Sequence, residues 1–315
     1  MMVRLLFLGT PEYGAIVLRA LADEHHVVAA VTQPDCYVGR GRRKCVSPPV
    51  KILAGELGIA TLQPERLRSD DAVLAAMEEA EADLFVLAAY GQILPKRVLQ
   101  MPEHGVIGVH ASLLPRWRGA APVEAAILHG DKQTGVTLML TDEGLDTGPI
   151  IAQRPIPISP QETAVSLTPR LAHLGAELLL ETLPRWVAGE ITPRPQDDDR
   201  ATLAPPIDRC QGEIDWSLPA AVIARQVRAF APWPGTCTWL SGTRFKVLAA
   251  HPSPYQGHEN PGRVVETDEG LGIVTGRGVL ILDEVQLAGK RAMCIGDFAR
   301  GQRDFVGAMV GEDQR

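Results

Sequence analysis

The sequence predicts an α/β protein whose first domain is built on a parallel sheet and whose second domain is a small β-barrel. Short apolar runs that close on Gly, Pro or polar residues, separated in several places by helix-patterned segments, predict the first domain. Short strand patterns with Gly-centred turns near the end of the chain predict the second. A length of 315 residues also suits two ordinary domains better than one.

The strand patterns of the first domain are continuous apolar runs, which indicates a sheet buried on both faces. The runs are "VRLLFLGT" (3–10), "HVVAAVTQ" (26–33), "ADLFVLAAYG" (82–91) and "GVIGVHAS" (105–112). Residues 134–159 then place two β-rich runs around a polar turn, which predicts an antiparallel addition to this sheet. Residues 163–190 predict a long helix that begins or breaks near Pro169.

A change of composition separates the two domains. Residues 190–208 are rich in Pro and Asp and have little apolar periodicity, which is typical of a linker. A helix around residues 220–230 precedes the strand patterns of the second part. We therefore predict a first domain over 1–189, a linker over 190–208 and a second domain over 209–315.

Composition excludes several classes of protein. With 45% hydrophobic and 22% charged residues, the chain has the make-up of a soluble globular protein, and no apolar stretch is long enough for a membrane helix. The first residues read as a buried strand rather than a signal peptide, so we expect a cytoplasmic protein. Five cysteines without a C-x-x-C pair predict neither a disulfide framework nor a zinc site.

The net charge of −7 argues against non-specific affinity for nucleic acid. The charge is uneven, because residues 209–315 hold 12 Lys and Arg against 12 Asp and Glu, while the other residues hold 19 against 26. A nucleic-acid partner would therefore need local basic patches. The loop "GRGRRK" (39–44) is one candidate, and a solvated mobile loop is the alternative interpretation.

His110 is a candidate catalytic residue because it stands where a predicted parallel strand gives way to loop, the usual place for ligands in such sheets. A histidine that only hydrogen-bonds in a turn is the alternative. Asp146, in the Gly-flanked loop "DEGLDTG" (142–148), offers a carboxylate partner for a proton-accepting imidazole. No G-x-S-x-G or G-x-G-x-x-G motif is present, so direct acyl transfer without a covalent intermediate fits what remains.

Motifs along nearly the whole chain point to one family. They are "GTPEYGA" (9–15), "TQPD" (32–35), "SPPVK" (47–51), "AAYGQILP" (88–95), "HASLLPRWRGAAP" (110–122), "DEGLDTGPI" (142–150), "GEIDW" (212–216), "VRAFAPWPG" (227–235), "GKRAM" (289–293) and "DFARG" (297–301). On these motifs the chain resembles the methionyl-tRNA formyltransferase family, which formylates initiator methionyl-tRNA with 10-formyltetrahydrofolate. The basic loop and the "APWPG" half narrow the resemblance to this tRNA-directed branch of the folate-dependent formyltransferases.

The resemblance implies a Rossmann-like formyltransferase domain, a linker and an OB-like β-barrel that binds tRNA. It implies that His110 and Asp146 are the catalytic pair. Its folate contacts fall on Ser112, Leu113, Leu114 and Pro115 and on the backbone of Ala89, Tyr90, Gly91, Gln92, Ile93 and Leu94. Its tRNA contacts fall on Arg40, Arg42, Arg43, Lys44, Arg244, Lys246, Lys290 and Arg291. We expect 10-formyltetrahydrofolate as co-substrate, initiator methionyl-tRNA as partner, no metal and a monomer.

One departure from the family touches the chemistry. The family pattern reads Asn-Val-His where this chain reads Gly108-Val109-His110, so the amide expected to hydrogen-bond the formyl oxygen is missing. Loss of one such donor costs about 10²–10³ in rate unless a water or backbone N–H substitutes, and we expect Gly108→Asn to raise formylation about 100-fold or more. Besides an active formyltransferase, the alternatives are an impaired folate- or tRNA-binding relative and a sugar-nucleotide N-formyltransferase. The basic loop and the barrel argue against the last.

Overall fold

The computed structural model describes residues 2–38, 44–302 and 304–311, and the chain divides into two compact units. Both units are discontinuous in sequence. The first comprises Met1–Pro122, Gln133–Pro157 and Leu167–Pro205, and the second comprises Val123–Lys132, Ile158–Ser166 and Pro206–Arg315. The domain boundaries drawn from composition, 1–189, 190–208 and 209–315, stay a prediction.

The first unit carries the strands that were expected from the apolar runs. In the described part of the chain, the strands up to residue 204 are β1 (Arg4–Gly9), β2 (His26–Val31), β3 (Cys36–Val38), β4 (Lys44–Val46), β5 (Ala60–Leu62), β6 (Leu84–Ala88), β7 (Val106–His110), β8 (Arg118–Gly119), β9 (Gln133–Leu140), β10 (Ile150–Pro157) and β11 (Leu203–Ala204). The main sheet has the order β10-β9-β7-β6-β1-β2-β5. β3 pairs with β4 as a hairpin, and β8 pairs with β11 in parallel.

Five neighbouring strands of the main sheet, from β5 to β7, run parallel, and β9 and β10 are antiparallel additions at one edge. The predicted parallel sheet with an antiparallel addition is therefore confirmed. Because β2 and β5 lie on one side of β1 and β6 lies on the other, the winding of the chain reverses between β1 and β6. Ligands of open α/β sheets bind at such a point, beyond the carboxyl ends of the strands.

Helices in both units bury apolar residues. Across the described residues they are α1 (Glu12–Glu24), α2 (Pro49–Glu56), α3 (Asp71–Glu79), α4 (Lys96–Leu99), α5 (Pro122–His129), α6 (Ala164–Val187), α7 (Ala220–Ala229) and α8 (Ile295–Arg300). α6 continues through Pro169, where a start or a break was expected. A proline removes one backbone hydrogen bond, but the buried residues Leu167, Leu171 and Ala172 keep this turn packed.

The two faces of β7 have different neighbours, and α6 covers one of them. A β-carbon added to Gly175 of α6 would lie 2.7 Å from Val109 Cγ1 and 3.3 Å from Val136 Cγ1, so these two valines point toward the helix. Side chains alternate along a strand, and Gly108 and His110 therefore face the other side. On that side Met139 packs with Leu114 and Ile150.

The second unit contains an antiparallel sheet. Its strands are β12 (Thr236–Leu240), β13 (Thr243–Ser253), β14 (Val264–Thr267), β15 (Gly270–Val274), β16 (Val279–Leu287) and β17 (Met293–Cys294), in the order β12-β13-β16-β15-β14 with β17 also on β16. Residues 307–311 join the two edge strands, because Val264 N–H donates to the Ala308 carbonyl and Gly311 N–H donates to the Trp239 carbonyl. The predicted C-terminal β-domain is therefore confirmed.

Candidate active site

The carboxyl ends of β1, β2 and β6 are tied together by side chains from the loops that follow them. The Thr10 hydroxyl donates to the Tyr90 carbonyl at 2.9 Å, and Gln33 Nε2 donates to the same oxygen at 3.3 Å. Gln33 N–H in turn donates to Thr10 Oγ1. The point where the winding reverses is thus a fixed rim on which a ligand could rest.

His110 is the last residue of β7 and lies next to this rim. The residue is 8% exposed, and its Nε2 lies 2.9 Å from the Trp117 carbonyl oxygen. A carbonyl oxygen only accepts hydrogen bonds, so Nε2 carries a proton and Nδ1 is the nitrogen left to accept one. Nδ1 faces Asp146 Oδ2 at a distance of 3.6 Å. The two candidate catalytic residues are therefore brought together.

Asp146 is held rigidly in the loop between β9 and β10. Its Oδ2 accepts a hydrogen bond from Gly119 N–H at 2.8 Å, and its backbone has a φ of 53°, in the left-handed region that few non-glycine residues adopt. A β-carbon at Gly148 would collide with the Leu140 carbonyl oxygen, so the glycine after this aspartate is required by close approach. Strained backbone of this kind concentrates at functional sites.

The loop after His110 is fixed by a threonine on the neighbouring strand. Thr137 Oγ1 accepts a hydrogen bond from Leu114 N–H at 3.0 Å, and its hydroxyl donates to the Ser112 carbonyl at 2.7 Å. Gln153 Nε2 donates to both Thr137 Oγ1 and the Leu114 carbonyl, each at 2.9 Å. The Ser112 hydroxyl donates to the Arg116 carbonyl at 2.6 Å. These bonds define the turn that carries Trp117 back to His110.

The segment that composition marks as a linker also supports this site. Gln196 Nε2 donates to the carbonyls of Asp146 and Gly148, each at 2.8 Å. Thr202 Oγ1 accepts from Trp117 N–H at 2.9 Å. Arg118 is buried rather than displayed, with Nε on Gln196 Oε1 at 3.0 Å. Residues 194–204 therefore hold both the histidine's carbonyl partner and the aspartate loop.

The two candidate folate segments lie at the same edge of the sheet. Residues 89–94 follow β6, with Ala89 in the left-handed region at φ 53°, and Ile93 is 78% exposed. The Tyr90 side chain points into the core, where burial raises the pKa of its hydroxyl, and only its carbonyl belongs to the rim. The Gln92 side chain is engaged by the backbone of residues 64–67.

In the second segment, Ser112 and Leu114 are buried, whereas Leu113 and Pro115 are half-buried. Because the Tyr90 and Gln92 side chains are engaged elsewhere, residues 89–94 can contact a ligand through their backbone atoms and through the Ile93 side chain. The folate contacts of both segments stay a prediction.

A charged cluster anchors the base of the β3–β4 hairpin. Lys51 Nζ lies 2.8 Å from both carboxylate oxygens of Asp35, and Gln63 Nε2 donates to Asp35 Oδ1 at 2.9 Å. The hydrogen bonds from Gln63 and Lys51 hold the pKa of the Asp35 carboxyl below its ordinary value. The hairpin that carries the basic loop is therefore fixed at the same edge of the sheet as His110.

The candidate tRNA residues fall into two groups. Arg40, Arg42 and Arg43 lie outside the described residues, and Lys44 begins β4 and is exposed. The others share one corner of the antiparallel sheet: Lys246 is directly opposite Gln286, and the turn after β16 carries the exposed side chains of Lys290 and Arg291. Arg244 lies two residues before Lys246 on β13, with Nη2 on Cys237 Sγ at 3.0 Å. Their contacts with tRNA stay a prediction.

Four residues that position the site carry no signal in the sequence. Thr137 and Gln153 lie within ordinary strand patterns, and Gln196 and Thr202 lie within a composition typical of a linker. Their partners are 16 to 85 residues away in the chain, as with Trp117 and Thr202. Pairings at such separation leave no local pattern, and only the three-dimensional structure brings them out.

Three further observations concern chemistry that the sequence did not favour. The five cysteines are free thiols, and the register of the hairpin places Cys36 opposite Val46 and Cys45 opposite Tyr37, so the two thiols point to opposite faces. Within 2–38, 44–302 and 304–311, no cluster of His, Cys, Asp and Glu is placed to hold a metal ion. No helix in those same ranges is long and apolar enough to cross a membrane.

An imidazole and a carboxylate beyond the ends of parallel strands, with a loop fixed beside them, are the parts of a group-transfer site that needs a base. The class of protein is given by family models. The formyl transferase model matches residues 3–183, which include the whole site up to α6, and the model of the formyl transferase C-terminal domain matches residues 206–303. The chain therefore has the fold of a formyl transferase.

Individual relatives narrow this class. A methionyl-tRNA formyltransferase of Acidiphilium cryptum is 47% identical over 98% of this chain and 100% of its own length. One from Myxococcus xanthus is 45% identical over 95% of each chain. The chain belongs to the methionyl-tRNA formyltransferase family.

A solved structure shows the same fold at low identity. HypX from Aquifex aeolicus, in complex with tetrahydrofolic acid, matches 97% of this chain with a TM-score of 0.67 and 19% identity. The chain spans about half the length of that protein, since the match covers 48% of it. At this level of identity the likeness bears on the fold alone.

Proposed function

We propose that this protein transfers a formyl group from 10-formyltetrahydrofolate to the amine of initiator methionyl-tRNA. The observation that carries the proposal is the His110–Asp146 pair, with Nδ1 and Oδ2 3.6 Å apart at the carboxyl edge of the sheet. Membership of the family supports the choice of both substrates. Translation uses charged tRNA in the cytoplasm, which is where we place the protein.

His110 acts as the base. Its Nδ1 accepts a proton from the methionyl amine as that nitrogen attacks the formyl carbon. In the resulting imidazolium, Nε2–H donates to the Trp117 carbonyl, and the Asp146 carboxylate, with Oδ2 3.6 Å from Nδ1, stabilises the positive charge. Once the bond between the amine nitrogen and the formyl carbon has formed, the bond from that carbon to N10 of the folate breaks. The proton held by His110 passes to the departing nitrogen, so that the reaction neither consumes nor releases a proton.

Asp146 acts on His110 rather than on the substrate. Its carboxylate stabilises the imidazolium, and the hydrogen bond from Gly119 N–H fixes the carboxylate in place. Because Gln196 holds the carbonyls of Asp146 and Gly148, the loop cannot swing away when the ring changes charge. Asp146 is therefore a positioning and charge-stabilising residue.

The proposal is tested with purified protein, charged initiator tRNA and 10-formyltetrahydrofolate, by measuring formyl-methionine released from the tRNA. We expect formylation that depends on both substrates. Protein that binds tRNA or folate but gives no product would favour the impaired-relative interpretation. Transfer to an amino-sugar nucleotide but not to methionyl-tRNA would favour the third interpretation. The molar mass from light scattering of the same preparation tests the expectation that the protein is a monomer.

The basic loop gives a separate prediction. We expect Arg42→Ala with Arg43→Ala to weaken tRNA binding and to lower the slope of log affinity against log salt by about 2, because each arginine neutralises one phosphate. The matched control is Arg19→Ala with Arg185→Ala, which removes the same charge from exposed positions on α1 and α6. Equal slopes for the two double variants would favour the alternative interpretation, in which the loop is a solvated mobile segment that does not contact tRNA.

A further inference from the structure

The face of the sheet that carries His110 has an unusual feature at Gly108. A β-carbon at this position would lie 3.0 Å from Met139 Cε and 3.1 Å from Thr141 Oγ1. The chain therefore has no side chain where the family pattern has an amide. Among the described residues, the nearest polar atom to that place is the hydroxyl of Thr141, just beyond the end of β9. Thr141 directly follows β9, and its N–H donates to the Val106 carbonyl at 2.8 Å.

The hydroxyl of Thr141 has hydrogen-bonding capacity that the described part of the protein does not use. Its Oγ1 is buried, yet it has no hydrogen-bond partner within the described residues. Burial of an unpaired hydroxyl is unfavourable, so each such group needs a physical explanation, and a ligand or reacting group that completes it is one. This atom lies on the same face as the catalytic histidine.

The spacing along β7 suits a shared substrate. Gly108 and His110 are two residues apart on one strand, so their Cα atoms are separated by about 6.6–6.8 Å and their side-chain directions are parallel. A formyl group that lies between the two positions has the imidazole on one side and the Thr141 hydroxyl on the other. The hydroxyl is then placed to donate to the formyl oxygen while His110 accepts the proton of the amine.

We propose that Thr141 is a catalytic hydrogen-bond donor that stabilises the negative charge developing on the formyl oxygen, in place of the side chain that Gly108 lacks. The inference rests on the proposed function. Thr141 transfers no proton, since its hydroxyl only donates a hydrogen bond as the oxygen gains charge. Shielding from water strengthens such a bond, because competing donors and dielectric screening are excluded.

The test compares Thr141→Val with Thr141→Ser. Valine keeps the branched shape but removes the donor, so kcat and kcat/KM should both fall about 100-fold while KM for the folate stays unchanged. Serine keeps the hydroxyl and should recover most of the lost rate. Because the hydroxyl has no hydrogen-bond partner among the described residues, Thr141→Val should not lower Tm. A rate loss below threefold for Thr141→Val would overturn the inference.

Thr134→Val is the matched control. Thr134, on β9, is also buried, and its Oγ1 has no hydrogen-bond partner among the described residues. It is two residues from Val136, which faces α6, so its side chain points to the α6 side of the sheet. The same atoms are removed from the opposite face, and we expect the formylation rate of the parent. An equal loss in Thr134→Val and Thr141→Val would overturn the inference, because the effect would then not depend on the His110 face.

Gly108→Asn distinguishes the donor from other roles of Thr141. The gain of about 100-fold expected from the sequence assumes that no other group serves the oxygen. With Thr141 as the donor, this gain should appear in the Thr141→Val background and fall below about threefold in the parent. Met139 Cε, the closest atom to the new side chain, is the end of a flexible chain and can move. A full gain in the parent would overturn the inference.

These results separate the inference from the proposed function. A parent protein that formylates methionyl-tRNA, combined with an active Thr141→Val variant, refutes the donor role of Thr141 alone. A parent protein without formylation refutes the proposed function, and the Thr141 inference is then overturned with it.

Discussion

His110→Ala is expected to lower kcat for formylation on the order of 10³-fold, about 4 kcal/mol of the activation barrier. The physical reason is the loss of Nδ1, the nitrogen that faces Asp146 and can take a proton while Nε2 is held by the Trp117 carbonyl. Binding of tRNA should stay within about twofold, because a residue 8% exposed offers little surface to a macromolecule. The measurement is single-turnover formylation alongside tRNA affinity.

Two control variants distinguish the loss of a catalytic base from a loss of folding. His110→Gln keeps an N–H that can donate to the Trp117 carbonyl but cannot take up a proton at neutral pH, and it should be as slow as His110→Ala. His173→Ala removes an exposed histidine from α6 and should keep the parent rate. If His110→Gln retained more than a tenth of the parent activity, a general-base role for His110 would be wrong.

Asp146→Asn is the second large effect, again on the order of 10³ in kcat. Asparagine is close in size, tolerates the left-handed backbone at this position and keeps an oxygen for Gly119 N–H, so the loop should hold its shape. It lacks the negative charge that stabilises the imidazolium of His110. The loss should therefore appear in kcat, with KM for the folate and Tm close to those of the parent.

Asp142→Asn is a matched control for the charge. Asp142 lies in the same loop, where its Oδ1 accepts from Gly144 N–H at 3.0 Å and from the Thr147 hydroxyl at 2.8 Å. The change removes an equal charge four residues away, and it should cost far less than Asp146→Asn. Comparable losses would mean that the loop's conformation, rather than the Asp146 carboxylate, sets the rate.

The sequence predicts the sheet well because burial on both faces leaves continuous apolar runs. β1, β2, β6 and β7 each coincide with such a run, and the antiparallel pair β9–β10 follows from two runs around a polar turn. β5 is harder to predict, because an edge strand of three residues, Ala60–Leu62, is too short to have a pattern. Likewise, the course of α6 through Pro169 depends on packing that the local sequence does not show.

The residues of the candidate site also differ in how far the sequence predicts them. His110 and Asp146 can be predicted because each follows a recognisable element, a strand end and a glycine-flanked loop. The donor proposed at Thr141 cannot, because it follows from a distance between neighbouring strands and from a hydroxyl left without a partner among the described residues. A threonine near the end of a strand is ordinary in sequence, and only the glycine across from it makes the position special.

The pairing of β8 with β11 bears on how this enzyme can be divided. Composition would place a cut near residue 189, but a fragment ending there would lose the Gln196 brace on Asp146 and the hydrogen bond between Thr202 and Trp117. Such a truncation would keep the sheet but remove the hydrogen bonds that hold the His110 and Asp146 loops at its carboxyl edge. A catalytic half intended for expression or for fusion to an RNA-binding module should extend past Pro205, where the first compact unit ends.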